Sequence, residues 1–222
     1  VLPRQSIRRA IELGWITSAS GIPDSSLQPA SLDLTLGPVA YRLRCSFLPG
    51  SHRVRDKLRE YQMGEVDLSN GGVLEQDRPY LIPLAEKLRL PANIRGRTNP
   101  RSSTGRLDVF TRVVTDLGQH FDEVPHGYSG ELFLEVVPRS FTIKVRAGYT
   151  LNQLRLLSGD PRLSDGDLVE AHSRRPLVYA GETTTPGERG AVSDGLILSV
   201  DLSRGKNRTV GYRAKRSSAL LD

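Results

Sequence analysis

The 222-residue sequence is poor in several residue types: it holds one cysteine, one methionine and one tryptophan, and aromatic residues make up 6%. A lone Cys45 excludes an internal disulfide and any zinc site built from several cysteines. With so few aromatics and no RGFGFV-like stacking platform, nucleic acid is not the expected partner. No apolar run approaches the ~18 residues that cross a bilayer. The opening VLPRQSIRRAIELGW lacks the apolar block of a secretory signal. These absences imply a cytoplasmic protein with no membrane partner. A GxxxxGK[ST] phosphate loop is also missing, which excludes that route to a nucleotide site.

What is present points to a globular chain. Hydrophobic residues at 37% and charged residues at 25% supply one sizeable core with room for part of a second. The formal charge of +6 comes mainly from arginine, which favours an anionic partner, either nucleic acid or a phosphorylated small molecule.

Ile7, Ala10, Ile11 and Leu13 recur at helical spacing, and Gly14 follows as a stop. Beyond a loop-forming SASGIPDSSLQPA, the signals are short strands: SLDLTLG, VAYRLR, LFLEVV and FTIKVRAG. Proline and glycine recur too closely for long helices, so the expected class is mainly β with small helical additions. SLDL (31–34) with YRLR (41–44) is echoed by SVDL (199–202) with YRAK (212–215). LSDGDLVEAH from Leu163, with Ser164 as a candidate N-cap, would open that second copy. The expected organisation is a β domain over residues 1–157, a linker at 158–163, and the start of a similar copy over 164–222.

Two features carry chemistry. In NPRSSTGRLDVF, Arg101 and Arg106 flank Ser102, Ser103, Thr104 and Gly105. Guanidinium groups grip phosphate oxygens bidentately, and small residues let backbone N–H groups approach. An ordinary arginine-rich turn would carry the same residues. The second feature is ELFLEVV. In a strand, Glu131, Phe133, Glu135 and Val137 face one way and Leu132, Leu134 and Val136 the other, so both faces are largely apolar. Glu135 therefore falls inside a buried strand, where an unpaired carboxylate costs several kcal/mol. It needs an arginine partner or a task, and Arg106 is a candidate partner. A base held beside a fixed charge would explain that position, but so does a purely structural buried ion pair, and spacing alone favours the ion pair.

Four motifs occur in a familiar order: QPASLDLTLG (28–37), RSSTGR (101–106), FD followed by GYSGELFLE (121–135), and VRAGYTLNQLRL (145–156). In this the chain resembles deoxycytidine triphosphate deaminases, and most of all their longer two-copy members. That family shares the trimeric β-fold of deoxyuridine triphosphatases. The resemblance implies a distorted β-barrel or jelly roll with short helices. It also implies hydrolytic conversion of dCTP to dUTP and ammonia. Glu135 would be the general acid and base on water attacking cytosine C4, Arg106 would orient carboxylate and water, and Ser102 would hydrogen-bond at the same spot. Arg101 and Ser103 match phosphate positions, Asp122 and Tyr128 the sugar side, and Gln153 the phosphate path. Mg²⁺ would arrive on the triphosphate, without zinc, and the assembly would be a homotrimer or higher homo-oligomer.

Zinc deaminases place a histidine or cysteine near a glutamate ahead of PCxxC. That pattern is missing, and His52, His120, His126 and His172 are scattered. The family's IDPGW is FDEVPHGY here, which lengthens the loop between Asp122 and Tyr128, and the substrate-covering C-terminal segment of short members has no counterpart that can be placed. Two rivals remain at this point. One is a dUTP diphosphatase or bifunctional enzyme using Asp122. The other is a non-catalytic nucleotide- or nucleic-acid-binding trimer.

Overall fold

The structure, a computed structural model, describes residues 1–160, 162–180, 183–184, 192–198, 200, 202, 209–212 and 220. They fall into two compact units, one including Val1–Gly159 and the other within Asp160–Arg213. The first unit runs α1 (Arg4–Glu12), β1 (Ile16–Ser18), β2 (Leu32–Thr35), β3 (Val39–Leu43), α2 (Val54–Tyr61), β4 (Gln62–Asp67), β5 (Gly72–Leu74) and β6 (Tyr80–Arg89). It continues with β7 (Ile94–Pro100), α3 (Ser102–Arg106), β8 (Val109–Thr115), β9 (Glu123–Val124), β10 (Ser129–Pro138), β11 (Ile143–Val145) and β12 (Thr150–Ser158). This is the mainly β architecture, a distorted barrel with short helices, that the sequence implies.

Two larger antiparallel sheets build it, beside a two-stranded β5–β11 sheet. The larger runs β4-β3-β6-β10-β8 with β1 added on β6, and the smaller runs β2-β12-β7-β9. Leu32, Leu34, Ile82, Val113, Leu132, Leu134, Val136 and Leu154 meet between them in the main core. Both expected faces of β10 are buried. Leu132, Leu134 and Val136 enter the main core, while Phe133, on the opposite face, joins Leu43, Val54, Leu58, Leu81 and Val114 in a second cluster. That cluster exists because α2, which the strand-rich sequence pattern does not reveal, places Val54 and Leu58 over the outer face of the sheet. Each such large side chain contributes on the order of 1.5–3 kcal/mol when buried.

The sheets meet at a seam in the middle of β6. Its pairing with β10 changes register between Glu131 and Phe133, and Leu84 bridges instead to Leu36 at the end of β2. Pro83, which has no N–H to give to a ladder, sits beside this irregularity. Its carbonyl accepts the Gly37 N–H at 2.9 Å. A Cβ on Gly37 would lie 2.5 Å from that oxygen. Glu86 is buried at the same seam, and its Oε2 accepts the Thr35 N–H at 2.9 Å.

The second unit opens with α4 (Asp165–Arg174), whose N-terminus carries a reciprocal Ser164–Asp167 capping box, as expected of Ser164. A hairpin of β13 (Tyr179–Ala180) and β14 (Thr183–Thr184) follows. Of the SVDL and YRAK segments, Ser199, Asp201 and residues 213–215 lie outside the described residues. Among the described residues no helix is long and apolar enough to cross a membrane.

Candidate active site

β10 lies between β6 and β8, and this central position buries Glu135 to 1% exposure. The register sets Glu135 directly across from Arg112 of β8. Arg112 Nη2 and Nε donate to Glu135 Oε1 at 2.6 and 3.1 Å, and Nη2 also donates to Ser46 Oγ at 2.7 Å. The guanidinium carbon lies 3.6 Å from the centre of the Phe121 ring and 5.0 Å from that of Phe110. A planar cation is thus stacked on aromatic faces while its N–H groups aim at one carboxylate oxygen. Within the chain the guanidinium at Glu135 therefore belongs to Arg112 and not to Arg106. Opposed positions on neighbouring strands force the first contact, whereas Arg106 ends α3 and is exposed.

Glu135 and Arg112 line a cleft of about 690 Å³, with walls that include Pro79, Gly105, Phe110 and Val137. A second cleft of about 730 Å³ is lined by Arg101 together with Gln28, Asp33, Thr150 and the loop from Ser20. Arg101 pairs with the buried Asp33 at 3.3 Å and donates to Thr150 Oγ1, while Gln28 donates to Asp33 at 3.1 Å. The two clefts share no lining residue. Ser102, Ser103 and Arg106 are exposed on α3 and line neither cleft.

The remaining expected positions are more constrained. Asp122 takes a left-handed backbone, φ 62°, and its Oδ1 accepts from Val113 N–H and Thr98 Oγ1, each at 2.8 Å. Burial pushes its carboxyl above the usual range; those two donors and the Arg112 charge oppose the shift, and Glu135 adds to it. Tyr128 is buried in the main core. Its hydroxyl accepts the Asp116 N–H at 3.1 Å and donates to the Glu131 carbonyl at 2.5 Å, and burial pushes it upward. Gln153 accepts from Ser31 Oγ at 2.7 Å on the second sheet. His120 and His126 are exposed. Among the described residues no three His, Cys, Asp or Glu side chains gather to hold a metal.

Comparison with known proteins bears on this arrangement. The family model for the 2'-deoxycytidine 5'-triphosphate deaminase N-terminal domain matches residues 1–160, and that for the C-terminal domain matches 164–222. The chain belongs to the dCTP deaminase family. It is 26% identical over 144 residues to the dCTP deaminase of Ignicoccus hospitalis, covering 64% of this chain and 75% of that one. For the dCTP deaminase of Haloarcula marismortui the identity is 27% over 140 residues, covering 61% and 68%. The crystal structure of 2'-deoxycytidine 5'-triphosphate deaminase from Agrobacterium tumefaciens aligns over 100% of this chain at 43% identity, with a TM-score of 0.85. This chain spans 64% of the length of that protein.

Proposed function

We propose that this protein hydrolyses dCTP to dUTP and ammonia in the cytoplasm, with Glu135 as the group that activates water. The observation that carries the reading is a carboxylate buried to 1% exposure that nevertheless lines an open cleft and is held by a fixed cation. Taking it out of water costs several kcal/mol even when paired. Family membership supplies the substrate class, and the chemistry follows from the side chain. Glu135 takes a proton from water as its oxygen bonds to cytosine C4 and delivers it to N3; it then takes the proton of the new C4 hydroxyl and passes it to the amino group, whose C–N bond breaks to release ammonia as the C4 carbonyl forms. Positioned acid–base groups contribute about 10²- to 10⁴-fold to such steps. The mostly apolar walls of Pro79, Phe110 and Val137 suit a nucleobase.

The second cleft fits the triphosphate end, since Arg101 there is a half-exposed cation already oriented by Asp33. Ser102, Ser103 and Arg106 stand on the exposed side of the same turn. In a homotrimer, the turn of one copy would be brought to the Glu135 cleft of another, and Asp122 and Gln153 would complete the sugar and phosphate sides. Tyr128 would support the sugar side from the core, through its hold on the strand ahead of Glu135. Mg²⁺ would arrive on the phosphates, because the described residues offer no cage of their own. The reaction would proceed without zinc, as the family resemblance implies. Residues 164–222 would form the start of a second copy of the fold.

The test is turnover of dCTP with ammonia and pyrophosphate measured together, with and without Mg²⁺ and a zinc chelator. Glu135→Gln is expected to abolish ammonia release while triphosphate binding survives. Full activity in that variant would remove the mechanism, and pyrophosphate release from dUTP would assign the second, phosphoanhydride-cleaving activity.

A further inference from the structure

The geometry points to Arg112 as a positioning residue that fixes which oxygen of Glu135 faces the reacting water. This rests on the reading of Glu135 as the base. Both Arg112 bonds to the carboxylate end on Oε1. Among the described residues no hydrogen bond ends on Oε2, and Glu135 lines the open cleft, so Oε2 is the oxygen left for the reacting water. A carboxylate free to rotate would present either oxygen. Here rotation would break two charge-assisted bonds at once.

The arginine is itself held from three sides. Phe121 covers one face of the guanidinium at 3.6 Å, Phe110 lies 5.0 Å away, and Ser46 Oγ accepts from Nη2 at 2.7 Å. Ser46 precedes Phe47, which packs in the second cluster with α2. The outer helical layer therefore reaches the site through Ser46 and Arg112. Lysine cannot reproduce this arrangement, because a point ammonium neither stacks as a plane nor sends two N–H groups to one oxygen while bonding a hydroxyl.

Arg112 does not need to touch the substrate. Its effect should therefore appear in kcat and leave ground-state binding alone, since misplacement of a catalytic group costs up to about 10²-fold without loss of affinity.

The experiment compares Arg112→Lys, Arg112→Gly, Phe121→Leu and Glu135→Gln in dCTP turnover. Arg112→Lys should lower kcat by about 10- to 100-fold with KM changed by less than about twofold. Phe121→Leu, which removes the stacking face and leaves the charge, should lower kcat by about 3- to 10-fold. Added guanidinium ion should restore part of kcat in Arg112→Gly and none in Arg112→Lys, whose side chain fills the space. If Arg112→Gly fails to fold, the lysine and Phe121 variants carry the test. Wild-type kcat in Arg112→Lys, or a loss confined to KM, overturns the positioning role. When Glu135→Gln is inactive in that same series, the base assignment stands and only the role of Arg112 falls. Turnover that survives Glu135→Gln overturns both.

Discussion

Each of the two clefts beside α3 sets a buried carboxylate under a partly exposed arginine, Glu135 with Arg112 in one and Asp33 with Arg101 in the other. The surroundings separate them. Arg112 is stacked on rings and walled by proline, valine and phenylalanine, whereas Arg101 shares its acid with the amide of Gln28 among serines and threonines. Charge interactions strengthen where water is scarce. The first pair is thus suited to holding a reactive group still, and the second to receiving a further anion at modest desolvation cost.

The sharpest way to break this contrast is Glu135→Gln, which should lower ammonia release by at least about 10²-fold while leaving dCTP binding intact. A parallel loss of binding would mean that the apolar cleft serves affinity as well. Next in size is Arg101→Lys. Charge persists but the fork is lost, so KM for dCTP should rise about tenfold, the equivalent of about 1.4 kcal/mol, with kcat nearly unchanged. A fall in kcat with constant KM would reverse the assignment of the two clefts.

Tyr128→Phe tests a supporting layer. It strips the partner from the Asp116 N–H and the Glu131 carbonyl, and should destabilise the fold by about 1–3 kcal/mol in denaturant unfolding. Little change would show that the hydroxyl network adds nothing to packing.

The smallest effect is expected at the seam. Burial holds the Glu86 carboxyl above its usual range, although Thr35 opposes this. The folded state therefore binds a proton more tightly than the unfolded chain, and this contribution, complete at pH below the unfolded value, is lost as pH rises through the folded one. Glu86→Gln should raise the thermal midpoint at neutral pH by the equivalent of about 1 kcal/mol or less, and the gain should vanish in acid. A gain that persists unchanged in acid would assign it to packing instead of charge.

Much of this was legible in the chain. The alternation in ELFLEVV placed Glu135 in a strand buried on both faces, and the order of four motifs led to the family. The partner of Glu135 was not legible. Arg112 is 23 residues away, and only the β8–β10 register makes them neighbours. No local pattern encodes that register. Arg106 looked the better candidate because it belongs to a recognisable turn. α2 escaped for a related reason: its Val54 and Leu58 are the only two buried positions in eight residues, too few to mark a helix among charges. Tyr128 carried a family motif, and the motif says nothing of how deeply its ring packs in the core.

The close approach at Gly37 has a consequence for how the chain can vary. A methyl group there would collide with a carbonyl that cannot retreat, because it belongs to the strand carrying the barrel's corner. Gly105, in α3, has open space where its side chain would be. In a saturation library, then, position 37 should be nearly silent and position 105 crowded with survivors, though both read as the same letter.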